Sequence, residues 1–235
     1  PPPAFLGACE AAGIELSDVE REALGRYLWL LLDANTRFNL TAIREPAEAW
    51  MRHIFDSLTL LPHLAEPEAG SIIDIGSGGG LPGIPLAICL PQMQFTLVEA
   101  TGKKAKFLED VAADLALDHV RVVNDRAETA GQAEAHRERY DLATARAVGP
   151  MRVMLEYTMP LLRVGGQLLA MKGRQAEAEL DEAGDALMIL GNGEVDVYDA
   201  VGEESGDAVI VVVTKQAATP KAYPRRPGEP KTNPL

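Results

Sequence analysis

The fold of this chain is indicated by the stretch Ser71-Ile-Ile-Asp-Ile-Gly-Ser-Gly-Gly-Gly-Leu-Pro-Gly83. An apolar run typical of a buried strand ends near Asp74 and is followed by five glycines within eight residues. Glycine tolerates positive φ and has no Cβ, so a glycine-rich backbone can approach a ligand closely. The stretch therefore predicts a strand, a ligand-binding loop and the start of a helix.

The next apolar run, Phe95-Thr-Leu-Val-Glu99, ends in an acid 23 residues after Gly76. In βαβ units that bind nucleosides, a carboxylate at this point accepts hydrogen bonds from the ribose hydroxyls. The two runs together predict a nucleoside-like cofactor between the glycine loop and Glu99.

Strand and helix patterns alternate from Ser71 to the end of the predicted sheet. Strands are predicted at 71–75, 94–99, 119–123, 140–145, 167–171, 194–200 and 207–214, and helices at 82–90, 102–117, 150–163 and 174–190. Alternation predicts a parallel sheet with helices on both faces. Residues 203–207 are too few for a crossover helix, so the last two strands are expected to pair antiparallel.

The predicted fold class is therefore α/β, with a Rossmann-like, seven-stranded, mostly parallel sheet and an antiparallel C-terminal hairpin. That combination is typical of class I S-adenosyl-L-methionine (AdoMet) methyltransferases and unusual for dinucleotide dehydrogenases. We expect three parts, which are a helical N-terminal appendage (1–66), a cofactor-binding domain (67–214) and a basic, Pro-rich tail (215–235). In the first part, Ser17-Asp-Val-Glu20 is a capping-box signature, and a second helix is predicted from Pro46 to Leu61.

Charge is unevenly distributed along the chain. The net charge is −13, yet the tail from Thr214 to Leu235 carries five basic residues and one acid. An acidic total argues against a general nucleic-acid coat protein, whereas a basic tail can bind nucleic acid locally. Because no run of about 18 apolar residues occurs, we expect no membrane span. The two cysteines, Cys9 and Cys89, lie far apart in apolar helical patterns and are expected to be reduced thiols of a cytoplasmic protein.

Two cofactors compete for the glycine loop. Gly78-x-Gly80-x-x-Gly83 satisfies the dinucleotide pattern, and Glu99 follows 21 residues after Gly78. A pyrophosphate needs free N–H groups at the helix start, however, and Pro82 and Pro85 remove two of them. AdoMet has no pyrophosphate, so the pattern favours AdoMet while a nicotinamide dinucleotide, or a loop without a ligand, stays open.

Other residues are candidate contacts of the cofactor. Asp74 is placed to bind the amino-acid end of AdoMet, and the loop residues Ser77 and Gly78 follow it. Glu128 follows the third strand, where an acid can bind the adenine amine. Arg146 ends the fourth strand, at the sheet edge where open α/β sheets bind ligands.

The sequence also excludes some chemistry. There is no Pro-Cys pair for covalent attack on a pyrimidine, and no Asn/Asp-Pro-Pro-aromatic box for exocyclic amines. The four histidines have no metal-ligand spacing, so no metal is expected. The methyl acceptor is therefore expected to need no covalent help.

Six motifs occur in one order along the chain: Phe38-Asn-Leu-Thr-Ala-Ile-Arg44, His53-Ile-Phe-Asp-Ser-Leu58, Asp74-Ile-Gly-Ser-Gly-Gly-Gly-Leu-Pro-Gly-Ile-Pro85, Ala145-Arg-Ala147, Met171-Lys-Gly173 and Tyr223-Pro-Arg-Arg-Pro-Gly228. Together they resemble the bacterial 16S ribosomal RNA guanine-N7 methyltransferases, the glucose-inhibited division protein B family. The resemblance extends from about residue 17 to the C-terminus.

This resemblance implies AdoMet as cofactor and one guanine in the decoding-region loop of 16S rRNA as substrate. It also implies the small ribosomal subunit, or its assembly intermediate, as partner. An AdoMet enzyme for another acceptor, an NAD-dependent oxidoreductase and a non-enzymatic RNA-binding module are the alternatives. The cofactor contacts it implies are Gly76, Leu81, Glu99, Ala100, Thr101, Ala127, Glu128 and Arg146.

Basic residues near the pocket and in the tail are expected to hold RNA phosphates. The candidates are Arg44, Lys172, Arg225 and Arg226, with Arg52 and Lys231 more readily explained as surface charges. His53 and Asp56 lie three residues apart on one predicted helical face. Their pattern fits either a role at the substrate or packing of the N-terminal helices. No residue is identified as a catalytic acid or base.

Overall fold

A seven-stranded mixed sheet forms the centre of the molecule in the computed structural model, which describes residues 1–64, 70–200 and 208–235. Its strands are β1 (Ser71–Ile75), β2 (Gln94–Val98), β3 (Val120–Val123), β4 (Tyr140–Arg146), β5 (Leu162–Lys172), β6 (Glu194–Asp199) and β7 (Val209–Thr214). Their order in the sheet is β3-β2-β1-β4-β5-β7-β6. The first five strands pair parallel and β7 runs antiparallel to both neighbours, so the predicted fold class is confirmed.

Helices cover the sheet and precede it. They are α1 (Pro3–Ala11), α2 (Asp18–Asn35), α3 (Pro46–Ala49), α4 (Asp56–Leu58), α5 (Gly83–Cys89), α6 (Gly102–Asp114), α7 (Ala127–Gln132), α8 (Met151–Thr158), α9 (Ala176–Asp181), α10 (Gly184–Gly191) and α11 (Glu229–Thr232). The capping box at the start of α2 is formed, with reciprocal bonds between Ser17 and Glu20. Within the described residues, no helix combines the length and apolarity needed to span a membrane.

The strand order reverses between β1 and β4, which are neighbours although β2 and β3 separate them in sequence. At such a switch point, the loops that leave two adjacent parallel strands diverge and open a crevice at the carboxyl edge of the sheet. The glycine loop after β1 and the turn after β4 leave the sheet at this edge. The topology therefore places the predicted ligand-binding loop beside this crevice.

The segment between β4 and β5 differs from the sequence prediction. Helix α8 ends at Thr158 and not at 163, and β5 begins at Leu162. The Gly165-Gly166 pair, predicted to be a turn, lies inside β5, where the register with β4 shifts. Gly165 has a φ of +79°, and a Cβ on Gly166 would meet the Asp141 carbonyl oxygen at 2.9 Å. The glycines thus permit an irregularity inside a strand, and sequence does not distinguish this from a turn.

Two other helical predictions are corrected. The stretch 174–190 forms two helices, α9 and α10, which separate just before Gly184, a residue unfavourable within a helix. Helix α7 was not predicted, because its six residues are too few to show helical periodicity. The predicted boundary at 66–67 and the hairpin turn at 203–207 lie outside the described residues.

The N-terminal helices share one hydrophobic core with the sheet. Buried residues of α1 and α2, such as Phe5 and Leu24, belong to the same cluster as Ile72 of β1 and Leu97 of β2. The predicted appendage is therefore packed directly on one face of the sheet, where it can support the glycine loop.

Candidate functional site

The glycine loop is held in place by backbone bonds to the neighbouring strand. The N–H groups of Gly76 and Ser77 donate to the Val98 carbonyl at 2.9 and 3.2 Å. Gly76 has a φ of +69°, and a Cβ there would lie 2.6 Å from Val148 Cγ1. This position therefore requires glycine both for its conformation and for the close approach of the turn after β4.

Glu99 is anchored at the tip of β2. One of its carboxylate oxygens accepts from the Gly78 N–H at 2.9 Å and the other from the Thr101 N–H at 2.7 Å. Each oxygen can accept a further bond, because an ionised carboxylate offers about four lone-pair sites. The loop thus orients the predicted ribose-binding carboxylate, and Gly78 and Thr101 contribute as its backbone donors.

A cavity of about 440 Å³ lies beside this carboxylate. Five of the predicted cofactor residues line it: Gly76, Glu99, Ala100, Ala127 and Glu128. The structure adds Val148, Tyr157 and Lys231 to the lining. These three lie far from the glycine loop in sequence and carry no motif that identifies them. The volume is within the range of small-molecule and cofactor pockets.

Glu128 is bonded to the C-terminal tail. Its side chain is buried and accepts from Arg126 Nη2 at 2.8 Å and from the Gly228 N–H at 2.7 Å. Burial opposes ionisation of Glu128, but these hydrogen bonds outweigh it and lower its pKa. The predicted adenine-binding acid is therefore held as a carboxylate by a residue 100 positions later in the chain.

Asp74 lies deeper than predicted. It is fully buried under the loop, where Thr144 donates to its Oδ1 at 2.9 Å. No partner for Oδ2 is found in the described part of the chain. Burial raises the pKa of Asp74 to about 6. Ser77 is also buried, and its hydroxyl donates to the Asp74 carbonyl at 3.0 Å, so both residues support the loop from below.

Helix α2 supports the loop from the other side. The buried Tyr27 hydroxyl donates to the Gly79 carbonyl at 2.8 Å. Leu31 packs against the same residue, since a Cβ on Gly79 would lie 2.8 Å from Leu31 Cδ1. The predicted contact Leu81 is half-buried against this hydrophobic cluster. Helical periodicity gave no sign that Tyr27 bonds to the loop.

Arg146 lines a second cavity, of about 420 Å³, at the carboxyl ends of β4 and β5. Its Nη2 donates to the Arg52 carbonyl at 2.7 Å and lies 3.6 Å from Asp56 Oδ2. Burial lowers the pKa of Arg146, and its buried Nη1 has no hydrogen-bond partner among residues 1–64, 70–200 and 208–235. Ala147 and Gly149 line this cavity while Val148 lines the first, so a single turn separates the two cavities.

The helix predicted from Pro46 to Leu61 contains a π-helical turn at Trp50–Phe55, between α3 and α4. Such turns widen a helix and are frequent at functional sites. His53 within it is buried, and its Nε2 lies 2.6 Å from Thr41 Oγ1. Burial lowers the pKa of His53 to about 4, so the imidazole is neutral at neutral pH. Its buried Nδ1 has no hydrogen-bond partner within the described residues, so a role at the substrate and a packing role both stay open for His53.

Asn35 of α2 holds the Asn39-Leu40-Thr41 segment that contacts His53. Asn35 Oδ1 accepts from the N–H groups of Leu40 and Thr41 at 2.8 and 3.0 Å, and its Nδ2 donates to the Thr41 carbonyl. These bonds fix the backbone around Thr41.

Two of the four residues predicted to hold RNA are already engaged within the protein. Lys172 pairs with Glu179 and donates to the Gly149 carbonyl, which leaves its side chain 8% exposed. Arg225 pairs with the buried Glu156, with Nη2 2.6 Å from Oε2. The prediction that these two cations face RNA therefore requires correction. Arg44 is exposed, and Arg226 is 94% exposed.

Within residues 1–64, 70–200 and 208–235, no group of three or more His, Cys, Asp or Glu side chains is positioned to hold a metal ion.

Comparison with known proteins identifies the family. A model described as rRNA small subunit methyltransferase G matches residues 20–206. The ribosomal RNA small subunit methyltransferase G of Chloroflexus aggregans is 48% identical over 228 residues, which are 96% of this chain and 94% of that protein. The protein of the same name from Leuconostoc citreum is 42% identical over 234 residues, with coverage of 99% and 98%.

A solved structure supports the fold alone. The O-methyltransferase from Bacillus cereus, in complex with SAH, aligns with a TM-score of 0.57 at 20% identity, covering 81% of this chain and 91% of that one. Its similarity agrees with the observed sheet order.

The family resemblance predicted from the ordered motifs is confirmed by these matches, and the dinucleotide alternative for the glycine loop is wrong. The family model spans the glycine loop, Glu99, Glu128 and Arg146 in one alignment. This chain belongs to the rRNA small subunit methyltransferase G family and is an AdoMet-dependent methyltransferase.

Proposed function

We propose that this protein transfers the methyl group of AdoMet to N7 of one guanine in the decoding-region loop of 16S rRNA. The observation that carries the proposal is the pair of cavities on either side of the Ala147–Gly149 turn, in a chain of this family. One cavity contains the anchored Glu99 and fits a nucleoside. The other adjoins it and has room for an unstacked base.

The residues of the first cavity fit AdoMet. In the first cavity Glu99 has unused acceptor sites for ribose hydroxyls. Across the Ala147–Gly149 turn, Arg146 of the second cavity has a buried Nη1 without a hydrogen-bond partner among the described residues, a donor that a carboxylate of the ligand can satisfy. Pro82 and Pro85 remove N–H donors that a pyrophosphate would use. The proposed cofactor residues are Gly76, Gly78, Leu81, Glu99, Ala100, Thr101, Ala127, Glu128 and Arg146. The buried Asp74 and Ser77, predicted as contacts from the sequence, are proposed to act by supporting the loop from below.

The reaction requires mainly that the protein align the methyl donor with the acceptor atom. When bound, AdoMet supplies an electrophilic methyl group on a sulfonium. Guanine N7 has an in-plane lone pair and no proton, so no general base is needed. His53, with a pKa lowered to about 4 by burial, is a weak base, which is compatible with a reaction that needs none. Positioning the two reactants and excluding water from them then supplies most of the rate enhancement.

Positive side chains near the pocket are proposed to hold the RNA backbone. Arg44 and Arg226 are exposed, and the ion pair of Arg226 with Glu229, at 3.9 Å, leaves its side chain 94% exposed to phosphates. The proposed partner is the small ribosomal subunit or its assembly intermediate, and the proposed location is the cytoplasm. The target guanine must leave its stack for N7 to reach the methyl group.

The test is methyl transfer to rRNA that lacks the modification. Purified protein, labelled AdoMet and either small subunits or naked 16S rRNA are incubated, and the nucleosides are analysed by mass spectrometry. We expect one N7-methylguanosine per 16S rRNA. Glu99→Gln is expected to weaken SAH binding in calorimetry while leaving RNA binding unchanged. Methylation at another atom, or of neither RNA form, contradicts the proposal.

A further inference from the structure

The carboxylate of Asp56 has unused hydrogen-bonding capacity. Its side chain is 18% exposed, with Oδ2 3.6 Å from Arg146 Nη2 and 3.7 Å from Arg52 Nε. Both are ion-pair distances, and both are too long for a hydrogen bond. Within the described ranges, no donor is hydrogen-bonded to either carboxylate oxygen. Both carboxylate oxygens are therefore available to accept hydrogen bonds from a ligand of the second cavity, which Asp56 lines.

Two guanidinium groups lie beside the Asp56 carboxylate. Burial raises the pKa of Asp56, and the neighbouring Arg146 and Arg52 oppose that rise. The π-helical turn before α4 positions Asp56, and the Arg146–Arg52 carbonyl bond fixes one of the two cations. Asp56 lines the second cavity together with both arginines, so an oriented acceptor lies at that cavity.

The second cavity has a position and a lining that suit a nucleobase. It lies across the Ala147–Gly149 turn from the first cavity, the cofactor cavity of the proposed function, which contains Glu99. Met171 and Ile210 contribute apolar surface to its lining, suited to the faces of a flat aromatic ring. A ligand of this cavity must combine such faces with an edge of N–H donors.

We propose that Asp56 binds the Watson–Crick edge of the target guanine, accepting from N1–H and from the exocyclic amine. This deepens the proposed function and rests on it. N7 lies on the opposite edge of the guanine, so an Asp56-bound base presents N7 away from this carboxylate. Adenine has an acceptor at N1, which repels a carboxylate, and the same contact therefore rejects adenine.

The experiment varies the edge of the base and the carboxylate together. Small subunits are reconstituted with 16S rRNA carrying guanosine, inosine or 7-deazaguanosine at the methylated position. Inosine lacks the exocyclic amine and keeps N7. Wild-type kcat/KM is expected to fall about 10-fold on inosine. Asp56→Asn is expected to lower kcat/KM on guanosine roughly 30-fold and to discriminate between guanosine and inosine less than about threefold.

Controls separate this contact from a folding or cofactor effect. Asp114→Asn breaks a surface carboxylate–arginine pair with Arg26 and is expected to behave like wild type. SAH binding by calorimetry is expected to be the same in Asp56→Asn and wild type. Binding of the guanosine and inosine particles to the SAH complex repeats the comparison without turnover.

Two results overturn the assignment of Asp56. One is an Asp56→Asn variant that keeps the wild-type ratio between guanosine and inosine. The other is a loss of SAH affinity with that ratio retained, which would place Asp56 against the cofactor amine. Methylation of the 7-deazaguanosine particle, which lacks N7, would instead contradict the proposed transfer to N7. The guanosine-to-inosine ratio of kcat/KM would still test the contact of Asp56 independently.

Discussion

Arg225 and Glu156 form a buried ion pair that fastens the C-terminal tail to helix α8. The Glu156 carboxylate is fully buried and accepts from the Arg225 backbone N–H at 2.8 Å, from Nε at 2.9 Å and from Nη2 at 2.6 Å. The tail also reaches the cofactor cavity through the Gly228–Glu128 bond. The basic tail is therefore part of the fold, and its two adjacent arginines have different roles.

Replacing Arg225 is expected to destabilise the protein, whereas replacing Arg226 is not. Arg225→Ala leaves the buried Glu156 without its cation, which costs about 3 kcal/mol of unfolding free energy. Arg226→Ala removes a side chain that is 94% exposed and should change stability by less than about 0.5 kcal/mol. Urea denaturation of both variants measures the difference. Equal stabilities would show that the ion pair does not anchor the tail.

Arg226 is expected to act on RNA affinity. If it neutralises one phosphate, Arg226→Ala lowers the slope of log affinity against log salt by about 0.7 to 0.9. Arg44→Ala is expected to do the same, and both variants should bind SAH like wild type. Filter binding or fluorescence titration with 16S rRNA at several salt concentrations provides the slopes. An unchanged slope would remove that arginine from the RNA surface.

Tyr27→Phe tests whether α2 supports the glycine loop. The change removes one buried hydrogen bond to the Gly79 carbonyl and should cost about 1 kcal/mol of stability. Because Gly79 belongs to the loop, SAH affinity measured by calorimetry should fall as well. The matched control is Tyr198→Phe, whose ring is 44% exposed on β6. Full SAH affinity in Tyr27→Phe would mean that the loop keeps its shape without this bond.

Asp74 is expected to make stability depend on pH in the acidic range. Burial raises its pKa from 3.8 to about 6, so the folded state binds the proton more tightly than the unfolded chain. The resulting stabilisation is complete below pH 3.8 and is lost as the pH rises through about 6. The loss amounts to about 3 kcal/mol, from the free energy that corresponds to each unit of pKa.

Asp74→Asn lacks this titration and retains an oxygen that can accept from Thr144. Relative to wild type, its unfolding free energy should therefore rise by about 2.5 kcal/mol between pH 4 and pH 7. Comparing the two proteins at each pH cancels other titrating groups, including His53. A difference that does not vary with pH would mean that Asp74 is solvated in the folded protein.

The local chemistry of the cofactor loop was determined by the sequence. Gly76 through Gly83 predicts close backbone approach, and Glu99 at the end of the next apolar run predicts a ribose-binding acid, because both depend on residue type and spacing within one βαβ unit. Alternating patterns likewise predicted the seven strands and the antiparallel hairpin. Two local predictions failed: Gly165-Gly166 was predicted as a turn but lies inside β5, and the short helix α7 was not predicted.

Contacts between distant segments were decided only by the tertiary structure. Sequence patterns describe which residues share a face, but they do not describe which side chains meet across the core. Arg225 and Lys172 were therefore predicted to bind RNA, although in the structure they pair with Glu156 and Glu179. For the same reason Tyr27 was not connected with Gly79, and the position of Asp56 in the lining of the second cavity follows only from the tertiary structure.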